Sequence, residues 1–383
     1  MKGKIRNIYP GGNTPDGFYS YYNYILPQRE AQKFFCIKGG PGTGKSTFMR
    51  SIGEHFADKG EDVDFLWCSS DPGSLDGVLL KERRAAIVDG TAPHIVDPRN
   101  PGAVDEIINL GEYWDQESIR KERDRIISLN EMIGEIFQHA YGYLRSAGEK
   151  YRFMAEIYEK TIPYEEIREY RNQLQLKLDG VSLLRRSESK ARKDTVLGRR
   201  VYSGQRKKAF AGAITPGGIR SGLLSIIGDM EKVILLDSPV GFRTEKLLAP
   251  VSERLTDAGF DVEEYYCTMD PENRLEHIVC PGAGLAVAAV NRYHGIDTDK
   301  LSGKVIKLKI ENKPAGSLGK MYSDTLTKLY SSCDEEIKNA AALLETAKAQ
   351  HDILEGYYAP NMNFGLIEKK KEKVINMIEN GDD

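Results

Sequence analysis

The chain has 383 residues, of which 40% are hydrophobic and 29% charged, and a formal net charge of -3. The length fits two domains better than one core. The near-neutral balance of a soluble globular chain names no polyanionic or polycationic partner.

In chain order, "MKGKIRNIYPGGN" opens polar, and no apolar run of about 18 residues follows it. Neither a signal peptide nor a membrane span is predicted, and the expected location is cytoplasmic. Residues 34–50 read "FFCIKGGPGTGKSTFMR". Gly39, Gly44, Lys45 and Ser46 match the phosphate-loop pattern G-x-x-x-x-G-K-[ST]. Phe34 to Ile37 form an apolar run that reads as a buried parallel strand. From Thr43 to Phe56 the pattern turns helical, with Phe48, Ile52 and Phe56 on one face. Strand, loop and helix in that order suit a phosphate. Glycines let the backbone wrap it, and successive N–H groups at a helix start point positive charge at it. Gly39, Gly40, Pro41, Gly42, Thr43, Gly44, Lys45, Ser46 and Thr47 are therefore the candidate nucleotide-binding residues. Lys45 would reach the β and γ phosphates, and Ser46 would ligate Mg²⁺.

Asp71-Pro72 reads as a turn or helix start. "RRAAIVDGTAPH" (83–94) reads as a strand with Asp89 at its C-terminal end, the edge where open α/β sheets bind ligands. Asp89 is the candidate second Mg²⁺ residue and, with Lys45, a candidate catalytic residue. Lys81, Arg83 and Arg84 could face transferred phosphate, although a solvated basic turn explains them as well. His94 could act as a base, against a plain structural role in its loop. Residues 115–160 carry an apolar seam at Ile119, Ile126, Ile133 and Ala140, with Leu129, Ile136 and Tyr143 between. Helix is predicted again over 147–160 and over 164–178. The basic stretch 185–208 reads as a solvated linker. A nucleic-acid or polyphosphate site is its alternative, with Tyr202 as its one aromatic.

The second half repeats the first. "GEDVDFLWCSSDP" (60–72) aligns with "GFDVEEYYCTMDP" (259–271), and "YPGGNTPDG" (9–17) with "FAGAITPGG" (210–218). Between them "FFCIKGGPGTGKST" falls on "VILLDSPVGFRTEK" without a gap. Gly42 keeps its partner in Gly241, but Gly44, Lys45 and Ser46 become Arg243, Thr244 and Glu245. A carboxylate in place of the Mg²⁺-binding hydroxyl would repel a triphosphate. The second loop is thus expected not to bind ATP, and Asn291 in "LAVAAVNRY" aligns with Asp89. The five cysteines (36, 68, 267, 280, 333) show no close pair, and the six histidines no ligand-type spacing. Reduced, buried thiols are expected, with neither a disulfide frame nor a zinc site.

No Glu follows Asp89, as it does in many ring and transport ATPases, and no Asn-Lys-x-Asp is present, so ATP is favoured over GTP. The motifs "GGNTPDGFYSYY", "KGGPGTGKSTFM", "CSSDPGSLDGV", "VDGTAPHIVDP" and "FAGAITPGG" resemble those of a bacterial family of tandem-repeat P-loop proteins described as ATP-binding or ATPase-like. The resemblance covers nearly the whole chain and implies the fold and the duplication, but no substrate. Family members often keep an intact second loop; the departure at Arg243 to Glu245 implies one nucleotide site here.

The expectation is an α/β chain of two tandem P-loop NTPase-like, three-layer domains with parallel sheets. Residues 1–200 would form the first domain, with a helical arm over about 112–180. Residues 201–383 would form the second, with an arm over about 318–379. Each arm is expected to pack on the chain's own core, or else to act as an arm or lid or as a homodimer contact. The expected activity is Mg²⁺-dependent ATP hydrolysis at the first repeat. The alternatives are a kinase passing the γ-phosphate to a small acceptor, and a nucleotide-gated switch with negligible turnover.

Overall fold

A computed structural model describes residues 1–92, 95–178, 194–196, 199–201, 203–311 and 316–380. The chain is mixed α/β and divides into two compact units. Their limits do not follow the repeat boundary. Unit 1 comprises Met1–Tyr143, Ala213–Arg220 and Lys338–Asp383; unit 2 comprises Leu144–Gly212 and Ser221–Ile337.

Unit 1 contains a six-stranded sheet of β1 (Ile5–Ile8), β2 (Lys33–Lys38), β3 (Val63–Trp67), β4 (Leu75–Leu80), β5 (Ala85–Asp89) and β6 (Asp105–Asn109), in the order β1-β3-β4-β5-β2-β6. Phe35, Cys36 and Ile37 on β2, and Ala86, Ile87 and Val88 on β5, are fully buried. They read as continuous apolar runs because both sheet faces are covered there. A wholly parallel sheet was expected from the sequence, but β4 runs antiparallel to β3 and β5. The links 68–74 and 81–84 are too short for the dozen or more residues of a parallel return.

Helix α1 (Lys45–Asp58) lies on the sheet through Phe48, Met49, Ile52 and Phe56. A Cβ at Gly53 would sit 2.4 Å from the Phe65 ring, so the glycine lets α1 settle onto β3. At the β1–β3 side, buried Asp64 meets Arg6 at 2.8 Å and Lys81 at 2.9 Å.

Unit 2 repeats the plan with β7 (Arg206–Ala209), β8 (Lys232–Asp237), β9 (Val262–Cys267), β10 (Asp270–Cys280), β11 (Leu285–Val290) and β12 (Lys304–Lys309), in the order β7-β9-β10-β11-β8-β12. Again one strand, β10, is antiparallel to both neighbours. Helix α4 (Glu245–Asp257) takes the place of α1. Because Lys33 pairs with Ala85 and Lys232 with Leu285, Ala289 stands at the Asp89 position. Asn291 lies two residues beyond it, off the strand.

The predicted segments 115–160 and 147–160 become a short helix (Gln116–Lys121) and one long helix, α2 (Arg123–Thr161), followed by α3 (Tyr164–Leu178). The second half supplies α5 (Gly316–Tyr358) and α6 (Phe364–Asn380). The unit boundaries fall inside α2 and α5. In unit 1, the predicted seam meets a helix of the second half: Ile126 and Ile133 pack on Leu354, with Ile119, Leu129, Phe137, Tyr357 and Tyr358 around them. In the same unit, Ile367, Val374 and Ile378 of α6 join the core of the sheet and α1. In unit 2, α3 lies by α4, where Arg171 Nε donates to Lys246 O at 2.9 Å. All five cysteines are buried, and no disulfide joins them. Among the described residues, no helix is long and apolar enough to cross a membrane.

Candidate functional site

Residues 39–44 join the end of β2 to the start of α1. Gly42 and Gly44 have φ of 64° and 85°, the left-handed region where a side chain is costly. Gly44 is the residue from which α1 begins, so the first N–H groups of a 14-residue helix open at the loop. The loop is braced from within. Thr43 Oγ1 donates to Gly40 O at 2.8 Å, and Thr91 Oγ1, beyond β5, donates to Gly39 O at 3.1 Å.

Lys45 Nζ folds back over the loop and donates to Gly39 O at 3.0 Å and Gly40 O at 2.8 Å. It lies 3.6 Å from Asp89 Oδ2. Asp89 ends β5, the strand beside β2, and its Oδ1 accepts the Thr91 N–H at 2.8 Å. Ser46 Oγ accepts the Leu75 N–H at 2.9 Å, which ties the first turn of α1 to the start of β4. Thr47 is exposed in that same turn. The residues from Gly39 to Thr47 and Asp89 thus share one edge of the sheet.

Other candidates lie elsewhere. Lys81, Arg83 and Arg84 occupy the β4–β5 turn, at the opposite end of β5 from Asp89. Lys81 is held by Asp64, and Arg83 by Glu61 at 2.6 Å. Asp71 makes a turn, accepting from Gly73 N at 3.1 Å and Ser74 Oγ at 2.6 Å. His94 lies outside the described residues, as does half of the basic stretch 185–208.

Two features were not expected from the sequence. The first is the end of α5, which lies directly against the loop. A Cβ on Gly40 would come within 2.9 Å of the Tyr358 ring, and one on Gly42 within 3.0 Å of Glu355 O. A Cβ on Gly44 would meet Phe364 of α6 at 3.3 Å. Lys348, on the same helix, lies 3.8 Å from Asp71. Burial pushes the nearby His351 imidazole below its ordinary pKa, and the Lys348 and Lys45 charges add to that against Glu355 and Asp71. Nothing in the local sequence links positions 348–364 to position 40; only the tertiary path brings them together.

The second is Asp76, 3% exposed at a β-bulge of β4. It stands one step beyond the Gly77–Val88 pair, at the end of that ladder nearest Asp89. Burial first, then the charges of Asp76, Cys68 and Asp89, push the hydroxyl of buried Tyr22 well above its usual range. A lone Asp in "LDGVLL" carries no motif, but a polar residue inside an apolar strand was the available signal.

In unit 2 the matching loop keeps only its turn. Gly241 has φ of 89°, and a Cβ there would lie 2.9 Å from Met154 Cβ of α2. Thr244, at the lysine position, is buried and donates to Leu275 O at 2.7 Å. Arg243 pairs with Glu245 at 2.6 Å, and Lys246 is turned to Glu159 at 2.7 Å. The buried Arg274 guanidinium donates to Gly241 O and Phe242 O, each at 3.0 Å. A protein cation here is committed to loop carbonyls.

No protein-family model matches this chain, and no curated protein or solved structure does either.

Proposed function

We propose that unit 1 binds Mg-ATP at Gly39 to Thr47 and hydrolyses it, and that the second loop binds no nucleotide. The observation that carries this reading is Lys45, poised over Gly39 and Gly40 with Asp89 3.6 Å away. A cation held loosely by two carbonyls and one carboxylate can turn to an incoming phosphate without moving the backbone. The left-handed glycines and the start of α1 supply N–H donors for the same anion. Ser46 and Asp89 are the residues that would hold Mg²⁺, which when bound neutralises developing phosphate charge. Asp76 is the buried carboxylate at that edge to which this reading gives the attacking water.

The α5 end supports a coupling between nucleotide and arm. Tyr358, Glu355 and Phe364 crowd the glycines that would line the phosphates. Entry of a nucleotide therefore requires the arm to shift, and its departure lets the arm return. The same contact favours the gated-switch reading if turnover is negligible.

The deciding experiment is phosphate release from Mg-ATP by the purified chain beside Lys45→Ala, with bound nucleotide counted. Turnover lost in the variant and one nucleotide per chain are expected. Binding without turnover selects the switch. Unchanged binding in Lys45→Ala rejects the site.

A further inference from the structure

Unit 2 has lost its phosphate ligands, but at the corresponding bulge it carries groups that unit 1 lacks. Tyr266 pairs with Leu275 and Tyr265 with His277, so Glu276 is the extra residue of β10. In unit 1, Trp67 pairs with Leu75 and Leu66 with Gly77, which makes Asp76 the extra residue. Asp76-Gly77 in one copy thus corresponds to Glu276-His277 in the other. A bulge re-aims side chains, and here it turns two successive residues of one strand toward a common point. His294, beyond the end of β11, completes the group. Its backbone N–H is fixed by Asn291 Oδ1 at 3.2 Å.

Donor atoms of Glu276, His277 and His294 all lie within 4.8 Å of one another. Glu276 is 3% and His277 1% exposed. Among the described residues, His277 has no hydrogen-bond partner at Nδ1 or Nε2, and His294 has none at Nδ1. His294 Nε2 and Glu276 Oε2 are 2.8 Å apart, an ion pair when His294 is protonated. Buried polar atoms are nearly always satisfied, so a deeply buried imidazole with both nitrogens idle calls for a partner. A protonated His294 paired to Glu276 would account for those two residues and leave His277 unexplained.

We propose that Glu276, His277 and His294 bind a first-row divalent metal ion, with zinc the fitting occupant. Two imidazoles and one carboxylate are a donor set for zinc or iron(II), not for magnesium or calcium. Tetrahedral bonds of about 2.0–2.1 Å require donors about 3.3 Å apart, within reach of small side-chain rotations from the present spacing. A metal ion ligates neutral imidazoles and an ionised carboxylate, so binding should weaken as pH falls. The site also has an outer shell. Tyr151 OH donates to Glu276 Oε1 at 3.4 Å and accepts from Arg274, which holds the second loop. An ion here would fix the loop that no longer takes phosphate.

This inference is independent of the nucleotide site and is tested without nucleotide. The full chain is stripped with a chelator, titrated with Zn²⁺ or Co²⁺, desalted and analysed for bound metal. One zinc per chain is expected, equally in Lys45→Ala, and a visible cobalt band from nitrogen ligation. His277→Ala and His294→Ala should each weaken zinc binding by ten-fold or more. Glu276→Gln, nearly isosteric, serves if a histidine variant does not fold. Wild-type chain that retains no stoichiometric zinc or cobalt overturns the proposal. So does zinc binding that is unchanged in the folded variants.

Discussion

Lys45 Nζ lies 3.6 Å from Asp89 Oδ2, with both side chains 13% exposed. The two residues come from different elements, the start of α1 and the end of β5, and meet because β2 and β5 are parallel neighbours. Replacing Lys45 with Ala removes the cation that Gly39 O and Gly40 O hold at the loop. Charge-assisted hydrogen bonds contribute about 1.5–3 kcal/mol, so ATP affinity should fall roughly ten- to hundred-fold. Titration calorimetry with Mg-ATP measures this, and an unchanged dissociation constant would sink the assignment.

Tyr358 packs on Gly40 and also meets the Trp114 ring, with centroids 5.8 Å apart. The chain has two tryptophans, Trp67 and Trp114, so Trp67→Phe leaves a single reporter beside the arm. Mg-ATP should change Trp114 emission in that variant. Tyr358→Ala should raise ATP affinity by clearing the loop, at a cost of a few kcal/mol in stability from the lost aromatic packing, on the order of 3 kcal/mol. An arm unconnected to the site would give neither the emission change nor the tighter binding.

Asp76 offers a sharper test of hydrolysis against mere binding. Asp76→Asn keeps the volume of the bulge side chain and removes its charge. If Asp76 directs the attacking water, phosphate release should drop by roughly 10²–10⁴-fold while ATP affinity stays within a few-fold. Equal turnover in the variant would return the carboxylate to a structural role.

These residues differ in how visible they were in the sequence. The loop from Gly39 to Thr47 and the end of β5 at Asp89 were legible, because local spacing and an apolar run fix them. The duplication was legible because both copies must bury the same core, and identical strand orders follow from it. The antiparallel β4 was not foreseen, although its short links announced it. The partner of the α2 seam was hidden, since an apolar stripe says that it will be covered but not by what. Leu354 and Tyr357, more than two hundred residues away, cover it. Glu276, His277 and His294 were passed over for the same reason: histidine spacing along the chain shows nothing of a bulge that aims two adjacent residues together. Asn291 was misplaced because strand register, not the nearest polar residue, decides what faces the edge.

Asp64 supplies a prediction about pH. Its carboxylate is 3% exposed and bound by Arg6 and Lys81. Burial alone would raise its pKa; the two cations outweigh burial and hold it down to about 2. The unfolded value is about 3.9, so the folded state binds this proton less readily than the unfolded chain. The stabilisation is fully present above about pH 4 and is lost as pH falls toward 2. A depression of this size corresponds to about 2–3 kcal/mol. Asp64→Asn should lose that part of the acid dependence. It should also destabilise the chain at neutral pH by roughly 1–3 kcal/mol, because the part-buried Arg6 loses its charged hydrogen-bond partner. Urea unfolding from pH 7 to pH 2.5 on both proteins checks the sign. If the wild type and Asp64→Asn lose stability in parallel as pH falls, the ion trio does not carry the acid sensitivity.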